Sequence, residues 1–178
     1  MAQQYFVLGI GGTGMRCIES LIHLCAMGMF DDTDIHLLAL DTDKDNGNFN
    51  RLKEVKEAYL KAKGTDASQR TVLKETFFSA NIHYYEFSPN YEKKSDFKSV
   101  FNYDDTQFKN KEQTAIADLV LTKNVESFNL RHGYRAQTHL GSMMMYHSIL
   151  EAARSNNNSE LKTYLQKLIQ VRSEERRV

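Results

Sequence analysis

Tyr5-Phe6-Val7-Leu8-Gly9-Ile10-Gly11-Gly12-Thr13-Gly14 is the stretch from which the fold of this chain is read. Its first six residues form a continuous apolar run, the pattern of a strand covered on both faces of a parallel sheet. The glycines that follow allow left-handed backbone and let the main chain approach a neighbour with no Cβ in the way. Beyond them Met15, Ile18, Leu21, Ile22, Cys25 and Met29 recur at helical spacing. This predicts an amphipathic helix of about four turns, with Gly28 near its C-terminal cap. Asp31-Asp32-Thr33-Asp34 reads as an acidic surface loop. Ile35-His36-Leu37-Leu38-Ala39-Leu40 reads as a second buried strand that ends at Asp41-Thr42-Asp43. Strand, helix and strand in this order make a βαβ unit, which implies a parallel sheet with a right-handed crossover. The expected class is α/β, a Rossmann-like parallel sheet flanked by helices.

Farther along, the pattern is weaker. Residues 48–62 are polar and helical in period, 64–68 read as a loop around Gly64, and 72–78 as a short helix or strand. Ile82-His83-Tyr84-Tyr85-Glu86-Phe87 is a strand candidate. Pro89, the single proline, follows it, where a missing N–H costs little. Residues 91–108 have no firm period and read as irregular; 112–121 read as an amphipathic helix. A second glycine-punctuated loop, Arg131 to Gly141, opens onto a helix over 142–154. Residues 155–159 form a turn and N-cap signal, and a last helix is expected over 160–170. The final seven residues, Arg172-Ser173-Glu174-Glu175-Arg176-Arg177-Val178, resemble a translated sequencing adapter and are set apart as a non-native tail.

The bulk numbers narrow the function. The 178 residues suffice for one domain with a real core. Lys plus Arg and Asp plus Glu number 23 each, and the charges are mixed along the chain. Such a balance points to neither nucleic acid nor an anionic membrane surface as partner. No apolar run is long enough to span a membrane, and the N-terminus has no signal-peptide pattern. Cys17 and Cys25 lie about 12 Å apart along a helix axis, too far to form a disulfide with each other. They read as small buried apolar residues in a reducing compartment, and the protein as cytoplasmic.

Three constellations carry chemistry. Gly9-Ile10-Gly11-Gly12-Thr13-Gly14 satisfies G-x-G-x-x-G between a strand and a helix. The free N–H groups and positive dipole end of that helix suit phosphate, and Thr13 adds a hydroxyl. Asp41-Thr42-Asp43 ends the second strand, where ligands of parallel sheets gather. An acidic residue there accepts ribose hydroxyls or, beside phosphates, holds Mg²⁺ through water. Gly133 to Gly141, with Arg135, suits a second anion-binding loop. The P-loop lysine signature is absent, and the six histidines show no metal spacing with the cysteines. His132 and His139 flank the second glycine loop.

Taken in order, Leu8 to Gly14, then Leu38-Ala39-Leu40-Asp41-Thr42-Asp43, then Gly133-Tyr134-Arg135-Ala136 with Gly141, resemble the successive nucleotide loops of the tubulin/FtsZ superfamily. The likeness is greatest to its divergent bacterial members. The resemblance implies the N-terminal part of a tubulin-like GTPase domain over residues 1–171, with 50–130 as a family-specific insertion. It implies nucleotide contacts from Gly9, Gly11, Gly12, Thr13, Gly14 and Arg16 in the first loop, Asp41, Thr42 and Asp43 in the second, and Gly133, Arg135 and Ala136 in the third. It also implies GTP as ligand, Mg²⁺ held through water by Asp43, and a homo-oligomer or filament formed through the complete protein. The superfamily's G-G-G-T-G-[ST]-G loop and its later acidic loop are missing, so the present chain is expected not to hydrolyse GTP by itself.

Two other readings stand beside this one. The first loop with Asp41 as ribose acceptor also fits an NAD(P)-binding Rossmann domain of an oxidoreductase or sensor. A scaffold that has lost the nucleotide would instead work through its tyrosine-rich stretch, 84–103.

Overall fold

The computed structural model describes residues 3–30, 32–43, 47–69, 77–89, 129–130, 138–154 and 159–175. The chain divides into two compact units, Met1–Phe87 with Asn156–Val178, and Ser88–Ser155. The first holds β1 (Gln4–Ile10), α1 (Gly11–Ala26), β2 (Asp34–Leu40), α2 (Asn48–Gln69), β3 (Asn81–Phe87) and, from the end of the chain, a helix over Glu160–Glu175. The second holds α3 (Thr138–Arg154), and the helix over Glu160–Glu175 is accordingly α4.

The three strands form a parallel sheet in the order β1-β2-β3. Gln4 to Ile10 pair with Asp34 to Leu40, which pair in turn with Asn81 to Phe87. Successive side chains alternate between faces. Val7, Ile35, Leu37, Ala39, Ile82 and Tyr84 pack towards the core that α1 and α2 cover with Met15, Ile18, Ile22, Cys25, Phe49, Leu52 and Tyr59. Removing a side chain such as Leu37 from water contributes about 2 kcal/mol. The opposite face carries Phe6, His36, Leu38, Leu40, His83 and Tyr85, in register with one another. There α4 packs against β2 and β3 with Leu161 and Tyr164 buried. The middle strand β2 is therefore covered on both sides, as its unbroken apolar run requires.

The second helix is tied to β3 by polar contacts. Tyr59 donates its hydroxyl to the Ala80 carbonyl at 2.8 Å. The Lys63 ammonium donates to the carbonyls of Ser79 and Ala80 and to Asn81 Oδ1, at 3.0, 2.8 and 2.7 Å. These bonds satisfy the carbonyls of the two residues that precede the strand.

Several expectations need correction. Residues 64–68 are not a loop, since α2 runs through to Gln69. An exposed glycine costs a helix only about 1 kcal/mol, and Lys63 fixes the turn just before Gly64. β1 is not buried on both faces: Tyr5, Leu8 and Ile10 are 39%, 50% and 61% exposed. It pairs with β2 alone among the described residues. Cys17 is exposed, because the buried stripe of α1 passes through Met15, Ile18, Ile22 and Cys25 and leaves position 17 on the outer side. Asp34 is the first residue of β2 rather than loop, and Thr33 before it is buried. In the second unit α3 begins at Thr138, four residues earlier than expected, so Gly141 lies inside the helix. Leu140, Met144 and Ser148 form its buried stripe, with the Ser148 hydroxyl donating to the Met144 carbonyl. α4 continues past Gln170 through Arg172 to Glu175. Residues 91–108 and 112–121 lie outside the described residues. No helix among the described residues is long and apolar enough to cross a membrane.

Candidate functional site

Parallel pairing of Ile10 with Leu40 brings the first glycine loop and the Asp41–Asp43 segment to the same, carboxyl end of neighbouring strands. Adjacent strands lie about 4.8 Å apart, so two loops distant in sequence become one surface. This is the end of a parallel sheet at which ligands collect.

Each glycine of the loop has its own physical reason. Gly11 has φ +67°, the left-handed region, and a Cβ there would meet no atom of the described residues within 4 Å. Its turn swings the chain from strand to helix. Gly14 packs on β1: a Cβ would stand 2.7 Å from the Gly9 carbonyl carbon. The buried Gly9 is the other half of that contact, its own Cβ position 2.5 Å from Ile18 Cδ1 and 2.9 Å from the Gly14 oxygen. Together they let the first turn of α1 lie directly against the strand. Gly12 faces Asn48 at the start of α2, whose Nδ2 lies 2.7 Å from the Cβ position.

The amino end of α1 carries no acidic residue of its own in its first turn. Ile10 is the N-cap, in extended conformation, and no side chain among the described residues caps the helix. The first turn of α2 contains no acidic residue either. A helix leaves its first N–H groups without intrahelical partners, and these carry the positive end of the dipole. Thr13 is exposed on this first turn. Arg16 is exposed one turn on; its charge, with that of His23, adds to the hydrogen bond from Arg51 that chiefly holds Glu19 below the ordinary carboxylate range. That Arg51–Glu19 pair, at 2.7 Å, ties α2 to α1.

At the end of β2, the Asp41 N–H donates to the Phe87 carbonyl at 3.3 Å, which holds the strand end against β3. The Asp43 N–H donates to Asp41 Oδ1 at 3.2 Å, closing an Asx turn. Thr42 is buried, while Asp41 and Asp43 are half-buried. Gly133, Arg135 and Ala136 lie outside the described residues, as does His132. The structure thus brings nine of the twelve expected nucleotide-contact residues to one end of the sheet or the adjoining first turns of α1. Asn48 was not among them. Its polar helix pattern gave no sign of contact with Gly12, because that contact depends on how α2 packs beside α1.

The fold and this sheet end define an α/β protein with a parallel sheet of Rossmann-like βαβ form. No protein-family model, no curated protein and no solved structure matches the chain.

Proposed function

We propose that the Gly11–Gly14 turn and the Asp41–Asp43 strand end hold the phosphates of a nucleotide, GTP in the first instance. The protein would then be a tubulin/FtsZ-like GTPase that assembles or switches with its nucleotide. One observation carries this reading: a helix amino end that no side chain of the described residues caps, with no acidic residue in its first turn, stands beside a left-handed glycine whose Cβ position meets no atom of the described residues within 4 Å. Main-chain amides in that setting suit polyphosphate. Among the described residues, no group of three or more His, Cys, Asp or Glu side chains is placed to hold a metal ion. Mg²⁺ would therefore arrive with the triphosphate, with phosphate oxygens as its main ligands and Asp43 contributing through water. Gly133, Arg135 and Ala136 are assigned to the same ligand by the superfamily resemblance.

A second reading has its own support. The contact of Gly14 with Gly9 is the close helix–strand packing for which a dinucleotide fingerprint uses its last glycine, and Asp41 stands where a ribose acceptor would. Against it, Asp41 is followed by Thr42 and Asp43 in the tubulin-like manner. Thermal unfolding of the full chain with GTP, ATP or NAD, each with and without Mg²⁺, separates the two readings. A ligand that binds only the folded state at a hundred times its Kd stabilises it by about 2.7 kcal/mol. A rise in Tm with GTP supports the first reading; a rise with NAD alone replaces it with the second.

A further inference from the structure

Phe6, His36 and His83 lie side by side across the three strands, on the face that α4 covers. Their rings form a continuous stack. Phe6 and His36 are 4.6 Å apart at 10°, and His36 and His83 are 4.5 Å apart at 14°. His36 is 3% exposed, and its Nε2 has no hydrogen-bond partner among the described residues. Its Nδ1 is 3.4 Å from the Tyr85 hydroxyl. Tyr164 of α4 sets its edge against both Phe6 and Tyr85, at 5.6 Å in each case.

The charges around the stack come from every packed element except β1, which contributes the neutral Phe6. β2 contributes Asp34, whose Oδ1 is 3.3 Å from His83 Nε2. β3 contributes His83 and Tyr85, and α4 contributes Lys167 near His36 and Glu160 near Tyr85. Asp34 offsets one positive charge in this group, and its direct contact is with His83. A proton on His36 would be buried with no acceptor for its Nε2–H, against a second imidazole and within reach of an ammonium group. Such a charge is costly in a dry interface.

We propose that the His36–His83 stack is an acid-operated release for α4. The helix stays closed on the sheet while His36 is neutral, and a proton taken up by His36 drives Tyr164 and α4 away. Burial first, then the charge of His83, pushes His36 from its ordinary 6.5 down to about 4. The closed form is therefore favoured above 6.5 and loses that advantage as pH falls towards 4. The stack lies in the amino halves of the strands, away from the glycine turn, so the proposal does not depend on nucleotide binding.

Hydrogen exchange of the full chain between about pH 7 and pH 4.5, corrected for intrinsic rates, tests it. The α4 amides should lose protection at least about tenfold while those of α1 and β1 keep theirs, and His36→Phe should abolish that loss. An NMR titration of the His36 ring in the unmodified protein should give a midpoint well below its ordinary value, coincident with α4 opening. If His36→Phe does not fold, this titration decides alone. The proposal is overturned if α4 and α1 lose protection together, if the variant opens at the same pH as the wild type, or if His36 titrates normally with α4 closed.

Discussion

Gly14→Ala tests the contact that seats α1 on the sheet. The added methyl would stand 2.7 Å from the Gly9 carbonyl carbon and 2.9 Å from Gly9 Cα, whereas ordinary contact begins at 3.4 Å. Both obstacles are main chain, so no rotamer change relieves them. The first turn of α1 must withdraw by the difference between 3.4 and 2.7 Å, about 0.7 Å. That movement loosens Met15 and Ile18, which are 2% and 1% exposed. Overpacking of this kind costs about 1–3 kcal/mol, and the better helix propensity of alanine returns up to about 1 kcal/mol. The two terms together leave a net loss of between about 0 and 3 kcal/mol. In urea unfolding of the full chain the midpoint should fall with an unchanged m-value. Gly11→Ala is the control for strain alone. Its Cβ meets nothing among the described residues within 4 Å, so its cost comes from φ +67°, about 1–2 kcal/mol. A Gly14→Ala protein more stable than the wild type, by the full helix-propensity gain of about 1 kcal/mol, would refute the close packing of α1 on Gly9.

Three further outcomes are expected. Gly12→Val meets the Asn48 side chain, whose nearest atom is 2.7 Å from the Cβ position. Because that neighbour is a side-chain tip, stability should change little, while GTP affinity measured by calorimetry should fall more than about tenfold, or 1.4 kcal/mol. Tyr59→Phe removes the 2.8 Å bond to the Ala80 carbonyl, which Lys63 still reaches, so chemical denaturation should register a loss of about 1 kcal/mol. His36, pushed down to about 4 in the folded protein, withdraws stability as pH falls from 6.5 towards 4. The full effect is roughly 3 kcal/mol, and urea midpoints for His36→Phe across that range should show a correspondingly flatter pH dependence.

The βαβ core was legible because its signals are local. The apolar run of β2, the helical spacing of α1 and the glycines between strand and helix each lie within a few residues. Gly28, with φ +85° just past the end of α1, falls where a cap was expected. The errors have physical origins. β1 and β2 have similar apolar runs, and only sheet order tells which one lies in the middle. Gly64 reads as a breaker, yet its helix is held by a lysine bound to carbonyls some sixteen residues onward, a contact with no local pattern. His36 and His83 are unremarkable apart and become a stack only through the register of β2 and β3. Asn48 likewise acquires its place beside Gly12 from helix packing. In the site, residue types and order were readable at the first two loops; which atoms turn towards the opening was not.

Amide NMR of the full chain during titration with Mg²⁺-GTP, and in parallel with inorganic tripolyphosphate, reports directly on the main chain of the first turn. Gripping of phosphate there predicts that the Gly11, Gly12 and Thr13 resonances move with both ligands and saturate, with Asp43 following only when Mg²⁺ is present. Unmoved Gly11 to Gly14 amides at saturating nucleotide, with changes confined to other parts of the chain, would contradict the assignment of this turn as a phosphate site.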